Sequence, residues 1–395
     1  MIPPVLYLNK EDCCACGACL NICPKQAISM EEDELGFLYP QINKSLCIGC
    51  GACKRVCAFQ NTDVENEPIK CFAAISRNAE QSKCSASGGV FAALATKIIK
   101  EGGIVFGAAF DEGWNLRHTS VDCIDQLKVL QGSKYVQSNT LNTFSEVEDE
   151  LNKGRMVLYS GTPCQIAGLF GYLGRDYNNL LTIDIVCHGV PNNRMLKEYI
   201  YLLEKKFRGK LSAFTFRDKA IGWGINGSAV INGKKIKLWQ SASSYIYYFT
   251  KASIYRENCY KCKYAGKHRP ADLTIGDFWG IEKQHPEYLD KNNWNFPVGI
   301  SLLIGNTIKG IQYINDISDY IDLKESTFHS VSVGNAQLQQ PCKRDTRDEI
   351  VQFYKEYGFE ALDNRFKKKI GIRKYSSILK AFLPNKVKIL LKQFI

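Results

Sequence analysis

The sequence lacks long apolar runs and, over most of its length, any excess of one charge. No stretch approaches the roughly 20 apolar residues that a membrane-spanning helix requires. The opening residues, MIPPVLYLNKED, lack the charged and apolar segments of a signal peptide, so we expect a cytoplasmic protein. The net charge is +11, but residues 365–395 contain ten Lys or Arg and no Asp or Glu. The rest is nearly neutral, and we expect no nucleic-acid partner.

Cysteine is the residue type in excess, with 17 among 395 residues. In a small secreted chain such a count would predict a disulfide framework. Here the chain is long and the cysteines cluster at two-residue spacing, which favours reduced thiols that bind metal. The length predicts about two or three domains.

A duplicated cysteine motif occupies the first 60 residues. Residues 13–24 read CCACGACLNICP and residues 47–58 read CIGCGACKRVCA, so both follow the spacing C-x2-C-x2-C-x3-C. Three cysteines of such a loop bind one [4Fe–4S] cluster, and the fourth reaches the neighbouring cluster. The spacing therefore predicts two clusters. The predicted ligands are Cys13, Cys16, Cys19 and Cys57 for the first cluster, and Cys47, Cys50, Cys53 and Cys23 for the second. Cys14 receives no role.

Four further cysteines lie at predicted strand ends and turns. Cys164 follows a strand and begins a helix, Cys187 ends another strand, and Cys259 and Cys262 form a C-x2-C pair. Because strand ends gather at one edge of an α/β sheet, these four are candidate ligands of a third [4Fe–4S] cluster. Two alternatives stay open, namely zinc at Cys259 and Cys262, and buried apolar roles for Cys164 and Cys187.

Residues 71–320 alternate apolar runs with helical patterns, which predicts an α/β or α+β domain. An Asn-Gly pair at 232–233 predicts a hairpin. The predicted strands are Cys71–Ile75, Ile104–Phe110, Met156–Tyr159, Leu181–Val186, Leu273–Ile275 and Ile300–Ile304, and the clearest helices are Gly89–Lys100 and Cys164–Leu173.

A series of short motifs accompanies these elements. In chain order they are Ser87-Gly-Gly-Val90, Gly132-Ser-Lys-Tyr135, Gly161-Thr-Pro-Cys164, Cys187-His-Gly189, Phe216-Arg-Asp-Lys219, Cys259-x2-Cys262 and Gly276-Asp-Phe-Trp-Gly280. Together with the duplicated cysteine motif, the series resembles the coenzyme F420 hydrogenase/dehydrogenase beta-subunit family from about residue 1 to about residue 320. The resemblance implies a bacterial-type two-cluster ferredoxin module followed by a mixed α/β domain that binds FAD and a third [4Fe–4S] cluster.

The resemblance also divides the chain. The implied parts are a ferredoxin-type domain at 1–62 (repeats at about 4–33 and 38–62), a region like the N-terminal part of the beta subunit at 70–150, a region like its C-terminal part with FAD and the third cluster at 151–325, and a helical, basic tail at 326–395. Residues 61–70 are polar and read as a linker.

The flavin is expected on three loops rich in small residues. One precedes a helix, whose free N–H groups suit a pyrophosphate, although a simple helix cap at Ser87 is the alternative. The predicted cofactor-binding residues are Ser87, Gly88, Gly89, Gly132, Ser133, Lys134, Tyr135, Gly161 and Thr162. Lys134 and His188 are the predicted catalytic residues. Lys134 would stabilise negative charge on the reduced flavin and His188 would donate a proton, the alternatives being a solvated loop charge and a support for the backbone beside Cys187.

The predicted function is electron transfer between a redox partner such as ferredoxin, the clusters and FAD, with hydride exchange to a small-molecule acceptor. Coenzyme F420 is one candidate acceptor; a cell-surface polysaccharide intermediate is another. Two alternatives are an electron-transfer subunit serving a partner enzyme, and a ferredoxin-like protein with structural zinc and no flavin. The basic tail is a candidate for peripheral contact with the inner face of a membrane. The alternatives are a helix that docks on the protein's own body and a partly disordered tail.

Overall fold

The computed structural model describes residues 2–61, 66–289, 294, 299–375 and the single residues 378, 379, 383 and 387. Part of the predicted linker and most of the basic tail therefore lie outside the described residues. Among the described helices, none has the length and hydropathy needed to cross a bilayer.

The N-terminal module consists of two cysteine loops, each leading into a short helix. Helix α1 (Ala18–Asn21) follows Gly17 and α2 (Ala52–Arg55) follows Gly51, and both glycines have a left-handed backbone with φ of +86° and +71°. Strands β1 (Ile28–Glu32) and β2 (Leu38–Ile42) pair antiparallel between the loops. Helix α3 (Ala58–Asn61) closes the module. The sequence repeat is thus also a structural repeat.

An eight-stranded mixed sheet forms the main body. Its strands are β3 (Lys70–Ser76), β4 (Ile104–Phe110), β5 (Leu116–Val121), β6 (Val157–Gly161), β7 (Leu180–Ile185), β11 (Leu273–Asp277), β12 (Ser301–Gly305) and β13 (Ile321–Ser326), in the order β13-β3-β12-β11-β7-β6-β4-β5. The central neighbours β4, β6, β7 and β11 are parallel, and the remaining pairs are antiparallel. The carboxyl ends of the parallel strands therefore meet at one edge.

Helices cover both faces of this sheet, which explains why a strand such as β4 is almost wholly apolar. The helices that follow α3 are α4 (Ala79–Cys84), α5 (Val90–Lys100), α6 (Thr143–Asn152), α7 (Pro163–Leu173), α8 (Asn193–Phe207), α9 (Ser244–Thr250), α10 (Ile281–Gln284), α11 (Ile308–Asp316), α12 (Phe328–Val333) and α13 (Arg347–Ile370). Alternate residues of β6 show the two faces: Leu158 packs with helix α5, and Val157 and Tyr159 pack with α6 and α7.

A smaller antiparallel sheet contains the predicted hairpin. Strands β9 (Gly227–Ile231) and β10 (Lys234–Leu238) are joined by Asn232 and Gly233, both with positive φ, and β8 (Leu211–Thr215) pairs with β9. This sheet shares a core with α8, α9, α13 and β2 of the N-terminal module. The module is therefore packed against the body rather than tethered to it.

The predicted fold class is confirmed as a mixed α/β protein with an N-terminal ferredoxin-like region. The six predicted strands correspond to β3, β4, β6, β7, β11 and β12, while β5 and β13 were not predicted. Both are edge strands in which charged and polar residues interrupt the apolar pattern, as in Ile-Asp-Leu-Lys-Glu-Ser of β13. Because β13 pairs with β3, residues 70–150 and 151–325 contribute to a single sheet.

Gly88 generates a stability prediction. A Cβ at this position would lie 2.2 Å from the Ala74 carbonyl oxygen and 2.8 Å from the Ser301 nitrogen, so two backbones would have to move. We expect Gly88→Ala to lower the free energy of unfolding by about 2 kcal/mol, measured as a fall in melting temperature. Gly224→Ala is the control, because a Cβ at position 224 would have no neighbour closer than 3.8 Å. This substitution should change the melting temperature little. Equal effects of the two substitutions would contradict the close-packing argument.

Candidate functional site

One cavity of about 490 Å³ opens at the carboxyl edge of the parallel strands. Its walls include the residues that end or follow β6, β7 and β11, which is where α/β sheets place their ligands. All four cysteines predicted for the third cluster line this cavity, namely Cys164, Cys187, Cys259 and Cys262. Residues up to 98 positions apart in the sequence thus meet at one place, and all four donors are thiols, the ligands that iron–sulfur clusters use.

The three loops predicted for the flavin border the same cavity. Its lining includes Ser87, Gly89, Gly132, Ser133, Lys134, Tyr135, Gly161 and Thr162. Gly88 lies behind the loop, where its N–H donates to Ser301 Oγ at 2.8 Å. The Ser87 hydroxyl donates to the Ile300 carbonyl at 2.8 Å, so it anchors the loop to β12. A close approach of loop and strand explains the glycine at position 88.

The structure brings one cysteine of the first repeat and three of the second to a shared cavity. Cys23, Cys47, Cys50 and Cys53 line one small cavity together. Burial raises the pKa of Cys19, and the charges of Cys16, Cys13, Cys57 and Cys53 raise it further. Among the described residues, no three Cys, His, Asp or Glu side chains are grouped as a site for a single metal ion.

Cys14, the cysteine without a predicted role, lies between two ligand groups. Hydrogen bonds to Cys16 and Cys164, followed by burial, raise the pKa of the Cys14 thiol well above its usual value. The same bond is the largest cause that lowers the pKa of Cys164 to about 7. A protonated Cys14 therefore bridges Cys16 of the first cysteine loop and Cys164 of the cavity, and it also lines the cavity.

Lys134 is enclosed by the chain that surrounds it. Its Nζ donates to the carbonyl oxygens of Leu130, Gln131 and Gly132 at 3.2, 2.9 and 3.3 Å. Burial lowers the pKa of Lys134 to about 7. The lysine is therefore not a solvated loop charge: it caps main-chain carbonyls at the cavity wall and can change its charge near neutral pH.

Tyr135 and His188 form part of an aromatic wall. The Tyr135 ring stacks on Phe249, with centroids 4.4 Å apart and an interplanar angle of 20°, and also packs on Phe216. The His188 ring lies 6.4 Å from Phe249 and remains accessible from the cavity. Burial lowers the pKa of His188, an effect that the nearby Asp277 opposes.

Arg217 and Asp277 form an ion pair behind the aromatic wall, where Arg217 also forms a hydrogen bond with Tyr135. Two guanidinium nitrogens of Arg217 donate to the two carboxylate oxygens of Asp277, and Trp223 Nε1 donates to the same carboxylate at 2.6 Å. Trp279 stacks on Trp223 with centroids 5.0 Å apart. Lys219 donates to the Ser82 and Ser87 carbonyls and so holds the loop at residues 87–89. The charged motif at 217–219 is therefore paired within the protein.

Two family models match parts of the chain. Residues 154–329 match the family described as the C terminus of the beta subunit of coenzyme F420 hydrogenase/dehydrogenase, and residues 12–61 match the 4Fe-4S dicluster domain. Residues 154–329 are thus similar to this beta-subunit family. Among solved structures, a chain of the F420-reducing [NiFe] hydrogenase complex from Methanosarcina barkeri is similar, with 15% identity, 75% of this chain and 95% of that chain covered, and a TM-score of 0.46. The search of curated proteins found no match.

The protein is therefore an iron–sulfur electron-transfer protein related to the beta subunit of F420 hydrogenase, and its N-terminal region is a two-cluster domain. The resemblance expected from the motifs is confirmed. The matched family is named after coenzyme F420 hydrogenase and dehydrogenase, which are oxidoreductases.

His118 lines the same cavity but was not singled out from the sequence. Its Nε2 donates to the Ser160 carbonyl at 3.0 Å, Nδ1 lies 2.6 Å from Ser138 Oγ, and the ring stacks on Tyr159. The hydroxyl of Ser138 is thus the donor to Nδ1, and the imidazole is neutral. The residue lies on the unpredicted strand β5, where the only signal was a histidine at an inward-facing position.

His118 predicts a pH dependence of stability. Burial lowers the pKa of His118 from 6.5, its value without burial, to about 4 in the folded protein. As the pH falls, the unfolded chain therefore takes up the proton first. The contribution of the neutral imidazole to the free energy of unfolding is complete above pH 6.5 and is lost as the pH falls towards 4. Between about pH 7.5 and about pH 5.5 we expect a loss of about 1.4 kcal/mol.

The measurement is the melting temperature of the anaerobic protein at these two pH values. The neutral variant His118→Gln should show a smaller drop than the unsubstituted chain. Equal drops in the two proteins would contradict the assignment of a neutral, buried imidazole.

Proposed function

We propose that this chain carries single electrons from a ferredoxin-type donor through the two N-terminal clusters and a third [4Fe–4S] cluster to FAD in the cavity. Bound there, FAD joins one-electron transfer to a two-electron hydride exchange with a small-molecule acceptor. The third cluster would be held by Cys164, Cys187, Cys259 and Cys262. The acceptor class includes coenzyme F420, which the family name contains.

One observation carries the proposal: a single cavity is lined by four cysteines and by the three loops expected for the flavin. Its volume of about 490 Å³ falls within the roughly 300–1,000 Å³ of ordinary cofactor sites. The first loop also ends at Gly89, which caps the 11-residue helix α5 and has a left-handed φ of +89°. Free N–H groups at this helix end support an anionic pyrophosphate.

The proposed order of electron transfer rests on the different burial of the two cysteine loops. In the second cysteine loop, Cys50 is exposed and Ile48 beside it is 38% exposed, so the second cluster would face a donor. In the first loop, Cys14 and Cys16 are buried, and Cys14 contacts Cys164 of the cavity. Electrons would therefore pass from the second cluster to the first and then to the third.

Several side chains of the cavity suit a reducible ring. The stacked Tyr135 and Phe249 offer a flat apolar wall, and the amine of Lys134 supplies a positive charge or a proton. His188 presents its ring to the cavity and is the second group that could hold a proton beside the acceptor. The ion pair of Arg217 and Asp277 supports this wall from behind.

Cofactor content tests the proposal directly. Anaerobically purified protein should contain about twelve irons and one FAD per chain, measured by iron assay, acid-labile sulfide and flavin released on denaturation. About eight irons and no flavin would overturn it and would favour a ferredoxin-like protein. With both cofactors present, turnover of an acceptor by the isolated chain separates a complete reductase from a subunit that serves a partner enzyme.

Single cysteine substitutions test the ligand set of the third cluster. We expect Cys187→Ser to reduce the iron content from about twelve to about eight per chain, because one cluster loses a ligand. Cys342→Ser is the matched control, since Cys342 also lines the cavity but lies outside the proposed ligand set. Iron loss in the Cys342 variant, with full iron in the Cys187 variant, would show that the ligands are assigned wrongly.

A further inference from the structure

Arg256 lies between the first cysteine loop and the cavity. We propose that this guanidinium is a positioning residue that sets the reduction potential of the first cluster relative to the third. The inference rests on the proposed function for the third cluster only, because the first cluster belongs to the dicluster domain found by comparison.

The guanidinium spans two parts of the chain. Nε donates to the Cys13 carbonyl at 3.0 Å and Nη1 donates to the Leu38 carbonyl at 2.6 Å, both in the N-terminal module. Nη1 also lies 3.4 Å from Gln137 Oε1 on the cavity side. The guanidinium carbon of Arg256 lies 3.9 Å from the centroid of the Tyr39 ring. The main chain is equally fixed, since Arg256 N donates to the Val190 carbonyl and its own carbonyl accepts from Cys259.

The charge of Arg256 has no carboxylate partner among the described residues. The side chain is fully buried, forms none of the ion pairs found in the described chain, and leaves Nη2 without a hydrogen-bond acceptor. An arginine cannot release its proton, and an uncompensated buried charge costs several kcal/mol. We therefore expect the compensating negative charge to come from a bound cluster and its thiolate ligands.

The thiolates are the candidates that the described chain places within reach. The positive charge of Arg256 acts on Cys13, a ligand of the first cluster, to which it also donates a hydrogen bond, and on Cys164, a ligand proposed for the third. A [4Fe–4S] cluster with four thiolates is anionic and becomes more so on reduction. A fixed cation beside it therefore favours the reduced state, and it does so more for the cluster to which it is hydrogen-bonded.

The test is an anaerobic redox titration of the full-length protein followed by EPR. The first cluster is assigned with Cys13→Ser, which alters one of its ligands. In Arg256→Gln we expect the reduction of this cluster to become at least tenfold less favourable, which is about 59 mV for one electron. The third cluster should shift in the same direction by less.

Two variants control for structure. Arg256→Lys retains the charge and should keep the potential close to that of the unsubstituted protein. Arg155→Gln removes an arginine paired with Glu150 and Asp122 at the end of β6 remote from the cavity, and should change neither potential. Loss of iron in the Gln variant alone, with iron and potential kept in the Lys variant, would also support the role of the charge.

The proposal fails if Arg256→Gln keeps its iron and titrates like the unsubstituted protein. It fails too if the Lys and Gln variants shift equally, or if both lose iron while Arg155→Gln does not, since Arg256 would then only hold the module in place. An unsubstituted protein with about eight irons would instead refute the third cluster and leave the titration of the first intact.

Discussion

The burial of the first cysteine loop against the cavity is the constraint on which the architecture depends. Three donors from the body reach successive carbonyls of this loop: Arg256 at Cys13 (3.0 Å), Gln137 at Cys14 (3.2 Å) and Thr140 at Cys16 (2.8 Å). Carbonyls taken out of water would be costly without such partners. A side chain on Gly17 would lie 2.2 Å from Thr140 Oγ1, so the contact tolerates only glycine there.

This packing makes two similar sequence repeats unequal. The loops CCACGAC and CIGCGAC begin with nearly the same text, yet the first is enclosed by the body and the second faces outward, with Leu46 49% exposed. The difference comes from what covers each loop, not from the loops. A duplicated module thereby gains a direction, with one end open to a partner and the other joined to the cavity through Cys14.

The parts that could be predicted from the sequence are those fixed by local rules. Central strands such as Ile104–Phe110 are continuous apolar runs, and the Asn232–Gly233 turn has the residues that positive φ requires. The gathering of Cys164 and Cys187 followed from strand ends meeting at one edge. Strands β5 and β13 were not predicted because edge strands carry polar residues, and their partners decide their structure.

Arg256, His118 and Cys14 could not be predicted for a different reason: none occupies a defining position of a motif, and each acquires its role from residues more than twenty positions away. Ser160 fixes the tautomer of His118, Cys164 gives Cys14 its second partner, and Cys13 lies 243 residues from Arg256. Each buried group is costly in isolation, so such residues persist only where the assembled fold supplies partners. All three lie around one junction, between the N-terminal module and the cavity edge of the sheet. That junction is therefore where the fold could tune electron transfer without altering a single ligand.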